Sequence, residues 1–149
     1  MPNHDDSGER RAHRATALHH LSLAALFTHE MDAVMRHEWR GLAVLGSLTD
    51  ATAYPIFLVA HFPAFAAILW LGHHRVHLVR AWARLALSIF LVVHAGLHML
   101  ASREPGYEFQ GLLSNVWIYA AAAFGAAYVA FVFGRAPGAR GHGAPPRVG

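Results

Sequence analysis

Four apolar stretches, each long enough to cross a bilayer as a helix, constrain this chain more than any other feature. They cover residues 17–35, 50–71, 80–101 and 112–134. About 20 helical residues, rising about 1.5 Å each, span a hydrocarbon core about 30 Å thick. The stretches are continuous rather than alternating, and backbone groups in lipid must be hydrogen-bonded internally, which favours helices over strands. Because short connections make neighbouring helices antiparallel, we predict an all-α integral membrane bundle of four antiparallel helices.

The composition supports a membrane protein and excludes several kinds of active site. Hydrophobic residues make up 55% of the 149 residues and charged residues 14%, whereas soluble domains carry roughly 25% charged residues. The chain has no cysteine, which excludes disulfides, thiolate metal sites and iron–sulfur clusters. All 12 basic residues are arginine, which excludes Schiff-base lysines and a phosphate-binding P-loop.

The placement of the arginines predicts the orientation in the membrane. Nine lie in the two tails, in the connection between the second and third stretches or at the adjoining edge of the third stretch, and three lie on the opposite side. Since cytoplasmic loops carry an excess of arginine, we predict cytoplasmic termini and a multi-pass protein of the bacterial inner (cytoplasmic) membrane, with the lipid bilayer as its partner. Residues 1–16 are then a basic cytoplasmic tail, and the Gly/Pro/Arg-rich residues 135–149 a disordered one. The sequence pI near 10 reflects these arginines and predicts no nucleic-acid surface.

The fourth stretch is rich in small residues. Ala122, Ala126 and Ala130 follow one another at intervals of four, and Ala121 forms a similar pair with Gly125. Small faces let helices approach closely in lipid. The stretch is therefore predicted to pack tightly, either inside the bundle or in a homo-oligomer.

Thirteen histidines in so apolar a chain suggest a metal site. His29, His61 and His94 each lie nine to eleven residues inside the outer end of a different stretch. At about 1.5 Å per residue, these positions share one depth of about 13 to 17 Å. Ionisable side chains within a span are costly and functional by default. Three histidines from three helices at one depth are therefore predicted to converge on an ion.

A second set of polar residues shares faces with these histidines. Asp32 lies three residues after His29, and His98 lies four residues after His94, so each pair occupies one helix face. Imidazole and carboxylate ligands without thiolates suit zinc, iron, manganese or copper. The predicted metal ligands are His29, Asp32, His61, His94 and His98. Glu30 and Asp32 are the predicted catalytic residues, as general bases. The alternatives are hydrogen-bonded contacts between helices, a proton relay, and a haem ligated by two of the histidines.

Two further groups of polar residues leave their roles open. On the inner side, His73 and His77 would share a face if their stretch were helical, and a histidine pair enters the first span at 19–20. These histidines are either solvated interfacial residues or an inner metal or haem-edge site. On the outer side, four loop residues form either an acidic lid over the metal site or solvated loop charges, namely Glu38, Glu104, Tyr107 and Glu108.

Several short motifs, taken in order, resemble a known family. The chain carries HEMDA at 29–33, EW at 38–39, FLVAH at 57–61 and EF at 108–109. This order resembles the signature HE(I/L)DA…EW…H…H…EF of small bacterial four-helix membrane proteins of unknown function, over about residues 18–130. Met31 stands where that pattern has Ile or Leu, and either His94 or His98 matches its third-span histidine. The resemblance implies a membrane bundle and marks these motif residues, but it implies no activity.

These observations favour a metal-dependent membrane enzyme, a hydrolase or an oxidoreductase acting on a lipid-like or small apolar substrate. Three other functions remain open. The polar layer could serve a metal-ion or proton transporter or sensor, a haem electron-transfer protein, or a structural membrane protein in which it only specifies helix packing.

Overall fold

The computed structural model describes the backbone of residues 4–134 and the side chains from residue 7 onward. Within these residues the chain forms four α-helices and no strand, which confirms the predicted all-α fold. The helices are α1 (His4–Met35), α2 (Asp50–Gly72), α3 (His77–Ala101) and α4 (Leu112–Phe133). Two short 3₁₀ turns, Glu38–Gly41 and Leu45–Ser47, connect α1 to α2.

Three of the four described helices, α2, α3 and α4, are long and apolar enough to cross a membrane. α1 is not in this set. Its first half carries three arginines, and its second half carries buried or half-buried polar side chains among apolar ones, which lowers its hydropathy. The most exposed large side chains of the apolar helices include Phe62, Trp70 and Leu112, which are 79%, 67% and 82% exposed. Such surfaces fit contact with lipid.

The helix ends differ in places from the predicted stretches. α1 begins at His4, thirteen residues before the predicted start of the first span, so most of the predicted basic tail is helical. No proline interrupts these residues, and Gly8 is their one poor helix former. α3 begins at His77, three residues earlier than predicted. The predicted disordered tail, residues 135–149, lies outside the described residues.

The packing places α4 between α1 and α3, while α2 packs mainly against α3. Arg11 of α1 donates hydrogen bonds to the carbonyls of Phe131 (2.8 Å) and Gly134 (3.2 Å), so the start of α1 and the end of α4 lie at one end of the bundle. We call this the terminal end. The two 3₁₀ turns and the connection between α3 and α4 lie at the opposite end, which we call the loop end.

The small residues of α4 are divided between two surfaces. Ala121 and Gly125 are buried, and Gly125 contacts the backbone of Ser88 on α3. Ala126 and Ala130 are exposed. The first pair therefore serves packing inside the bundle, whereas the second pair lies on the surface of the bundle.

Candidate metal centre

Four side chains converge near the loop end, and we call them the loop-end cluster: His29, Glu38, His94 and His98. Each offers one ligand atom, and these atoms all lie within 4.8 Å of one another. The Nε2 atom of His94 lies 3.0 Å from Nε2 of His29 and 3.1 Å from Nε2 of His98. Glu38 completes the group, with its Oε1 atom 3.5 Å from Nε2 of His98.

Helix geometry and aromatic packing position the three imidazoles. His94 and His98 are one turn apart on α3, so both project from the same face toward α1. His29 and His98 are 1% and 7% exposed. The ring of Phe109, from the connection before α4, packs against both of them at centroid distances of 5.7 and 4.9 Å. Phe90 stacks on His94 at 5.4 Å, which leaves the ring nitrogens of the three histidines facing one another.

A tight turn brings Glu38 to the cluster. α1 ends at Met35, and His37 adopts left-handed backbone angles (φ 52°, ψ 43°), so the chain turns back over the helix end. Such angles are uncommon for residues other than glycine, but histidine tolerates them better than most. Trp39 anchors the turn because it is 4% exposed and its Nε1 donates to Asp50 Oδ1 at 2.9 Å. The turn thus holds a carboxylate against three buried imidazoles.

Hydrogen bonds between the side chains of the loop-end cluster do not satisfy all of its ring nitrogens. The Nε2 atom of His94 has imidazole nitrogens at 3.0 and 3.1 Å, yet a ring nitrogen offers either one proton or one lone pair. A cation between the rings accepts a lone pair from every one of them. Two ligands of a tetrahedral ion with bonds of about 2.0–2.1 Å are about 3.3 Å apart. Three of the six separations, 3.0, 3.1 and 3.5 Å, are close to this value, and the other pairs lie within 4.8 Å.

The groups around the loop-end cluster favour the forms of its side chains that can bind a metal ion. These are an ionised carboxylate and imidazole nitrogens with a free lone pair. His98 Nδ1 lies 3.0 Å from the hydroxyl of Tyr107. Burial, together with Tyr119 and Glu38, raises the pKa of Tyr107 to about 12, so its hydroxyl stays neutral. When Nδ1 of His98 donates its proton to this oxygen, the Nε2 lone pair faces the cluster. In the other tautomer, with its proton on Nε2, His98 donates to Glu38 instead. Burial alone would raise the pKa of Glu38, but this hydrogen bond and the nearby imidazoles hold that pKa below its ordinary value.

Two of the predicted metal ligands lie outside the loop-end cluster. His61 of α2 forms a pair with Glu30, with His61 Nε2 3.0 Å from Glu30 Oε2. The Nδ1 atom of His61 donates to the carbonyl of Phe57 at 2.7 Å. Asp32 faces along its own helix toward Arg36, at 3.5 Å. Of the three histidines predicted to lie at one depth, only His29 and His94 meet. His61 does not join them, because α2 packs mainly against α3 and contacts α1 only through longer side chains.

Glu38 is the cluster member that sequence reasoning did not identify as a ligand. Its loop position suggested a lid residue or a solvated charge. The sequence feature that could have identified Glu38 is the EW motif, in which it directly precedes the tryptophan that anchors the turn. Of the other loop residues, Tyr107 contacts His98, Glu108 pairs with His37 and Arg40, and Glu104 is exposed.

The inner histidines do not group as their spacing suggested. A helical stretch would have placed His73 and His77 on one face, but α2 ends at Gly72 and α3 begins at His77. The residues between them form the turn, so the two histidines separate. His73 instead lies beside His20, with their Nε2 atoms 3.2 Å apart.

The ion pairs of Glu108 predict a pH-dependent contribution to stability. The hydrogen bond from His37 and the charge and hydrogen bond of Arg40, which also binds Asp50, hold the pKa of Glu108 below its ordinary value of 4.5. A carboxyl with a depressed pKa stabilises the fold above its unfolded pKa and loses this effect as the pH falls through the folded pKa. Glu108→Gln should therefore lower the melting temperature at pH 7 but not below the folded pKa. Thermal unfolding in detergent across pH 3 to 8 measures this, and an equal decrease at all pH values would contradict it.

A comparison with known protein families identifies the group to which the chain belongs. A family model matches residues 15–135, which is most of the chain. The chain is a member of DUF6713, a family of unknown function. This agrees with the resemblance to an uncharacterised family. No curated protein and no solved structure matches the chain. Membership of DUF6713 assigns no chemistry, so the function must be argued from the geometry of the loop-end cluster.

Proposed function

We propose that this protein is an integral membrane protein that binds a divalent transition-metal ion at the loop-end cluster and uses it as a metal-dependent enzyme. The observation that carries the proposal is His94, whose single Nε2 atom has two imidazole neighbours within hydrogen-bonding distance. Three imidazoles and one carboxylate suit zinc, iron, manganese or copper.

In this proposal α1 crosses the membrane with the other three helices and turns its polar face inward. The side chains of Glu30 and Asp32 are 15% and 13% exposed. Met31 and Met35, on the opposite face of α1, are each 74% exposed. Ionisable groups within a span normally face the interior of a bundle, as these do. The arginine distribution then places the terminal end in the cytoplasm and the metal centre in the outer half of the bilayer.

The residues around the cluster support a role in activating water. A bound ion of this kind lowers the pKa of water or polarises a carbonyl group. Glu30 lies near enough to Glu38 and His98 to interact electrostatically with both. It is therefore placed to accept a proton from a water molecule at the cluster, and His61 orients its carboxylate. Because this region is surrounded by lipid, a lipid-like or small apolar substrate is favoured.

Metal analysis of tag-free protein purified in detergent without chelators tests the proposal. We expect about one equivalent of metal per chain at this centre, or its uptake when zinc, iron, manganese or copper is added. An absorption spectrum of the same sample shows whether haem is present instead. Absence of metal from the purified protein, together with no uptake of any of the four ions, would contradict the proposal.

The Tyr107 contact predicts a smaller change in affinity. Tyr107→Phe removes the hydroxyl that orients His98 while it preserves the ring that packs against Phe109. Loss of an outer-shell partner typically costs about 10–100-fold in metal affinity, and we expect about 10-fold here. Competition with a chromogenic chelator measures this change. Tyr54→Phe is a suitable control, because Tyr54 is 40% exposed and phenylalanine keeps the ring that packs against Trp39, so no change is expected.

A further inference from the structure

A second group of histidines lies at the terminal end of the bundle, and we call it the terminal-end cluster: His19, His20 and His73. The rings of His20 and His73 have centroids 5.4 Å apart, and the ring of His19 lies 6.0 and 5.8 Å from them. Imidazoles on one ion with bonds of about 2.0–2.1 Å have ring centroids about 5–5.5 Å apart. The spacing of His20 and His73 matches this value, whereas His19 must move toward them by about a few tenths of an ångström, and turn its ring, for all three to bind one ion.

Of the three histidines, His19 has the greatest need of a bonding partner for its ring nitrogens. It is 1% exposed, and neither of its ring nitrogens has a hydrogen-bond partner among the described residues. Buried polar groups without partners are rare and costly. Its Nε2 atom points at the end of α2, where a Cβ on Gly72 would lie only 2.9 Å from it. The absence of a side chain at Gly72 thus provides the space that the imidazole occupies beside His73.

His73 already has the tautomer of a metal ligand. Its Nδ1 atom donates to the carbonyl of Leu69 at 2.9 Å. A neutral imidazole with its proton on Nδ1 presents a lone pair on Nε2. That lone pair faces Nε2 of His20, 3.2 Å away. A backbone carbonyl holding the second nitrogen is also the usual outer-shell partner of metal-binding histidines.

The nearby charges and the nitrogen ligand atoms together indicate which ion the terminal-end cluster favours. Among the described side chains no carboxylate belongs to it, and the 9% exposed Arg84 donates to the Gly72 carbonyl at 2.8 Å. This positive charge weakens the binding of any divalent ion, although the C-terminal end of the α2 dipole partly offsets it. Among divalent ions, copper has the highest affinity for nitrogen ligands. The terminal-end cluster should thus bind copper, and more weakly than the loop-end cluster does.

We propose that His19, His20 and His73 form a second transition-metal site, with three imidazole ligands and a preference for copper. His19 and His29 are ten residues apart on α1, so the two clusters are separated by about 15 Å along the helix. The second site is independent of the first, because the two share no residue.

Copper binding to single-site variants tests this proposal. Tag-free wild-type protein, His73→Ala and His94→Ala are loaded with Cu(II), freed of excess metal by gel filtration, and analysed by mass spectrometry and electron paramagnetic resonance. We expect two equivalents in the wild type and one in each variant, with a nitrogen-ligated spectrum for each site. His74→Ala is the matched control, because His74 accepts from the Val76 amide and packs on Trp70, away from the cluster. It should retain two equivalents.

The outcomes separate the two sites. If the wild type holds one equivalent that His94→Ala loses and His73→Ala keeps, the second site is wrong and the first stands. If only His73→Ala loses copper, the second site stands and the first is wrong. Gly72→Ala provides a further variant that keeps all three histidines but pushes His19 aside. Retention of two equivalents in both Gly72→Ala and His73→Ala would overturn the second site.

Discussion

Replacement of His94 by alanine is expected to abolish stoichiometric metal at the loop-end cluster. His94 is the central residue of the proposed site, since its Nε2 atom is the one that contacts both His29 and His98. Removal of an outer-shell partner already costs about 10–100-fold in affinity, and removal of a central ligand should cost more. Zinc affinity measured by competition with a chromogenic chelator, together with metal content, gives the result.

His61→Ala is the informative control for this measurement. The depth of the residue in its span predicts that it is a ligand, whereas the structure pairs it with Glu30 outside the cluster. We therefore expect His61→Ala to keep stoichiometric metal. Gel filtration of each variant checks that it remains folded. If His61→Ala loses metal as completely as His94→Ala, the cluster has been assigned the wrong ligands.

Gly125→Val is expected to cause a large loss of stability. A Cβ at this position would lie 2.8 Å from the carbonyl oxygen and 3.4 Å from Cα of Ser88, both of them backbone atoms. The backbone of α3 cannot move aside as a side chain can, so the two helices must separate. Overpacking of this kind typically costs about 1–3 kcal/mol. We expect about 3 kcal/mol, because valine adds two methyl groups beyond the Cβ.

Denaturant unfolding in detergent, followed by circular dichroism, measures this loss. Gly96→Ala on α3 is the matched control, because a Cβ there meets no atom of the described residues within 4 Å. Alanine is favoured over glycine inside a helix by about 0.5–1 kcal/mol, so this control should be neutral or slightly more stable. An unchanged unfolding midpoint for Gly125→Val would contradict the close contact between α3 and α4.

The helices themselves could be predicted because the physical signals are local. The apolar stretches are long and uninterrupted, and hydrogen bonding in lipid leaves few alternatives to a helix. The starts of α2 and α4, at Asp50 and Leu112, coincide with the predicted stretches. The early start of α1 is not visible in the apolar pattern, because its charged first turns have no apolar signal, although they contain no helix-breaking proline.

The sequence by itself determined the number of helices in the described residues, their approximate ends and the positions of His29, His61 and His94 along them, because helix rise is constant and apolar length is visible in the residues. Only the tertiary structure decided which residues of equal depth meet, because depth does not define how each helix is rotated about its axis. It placed His29 against His94 and His61 against Glu30. It also brought Glu38 to the cluster, because the left-handed turn at His37 depends on the burial of Trp39 between α1 and α2.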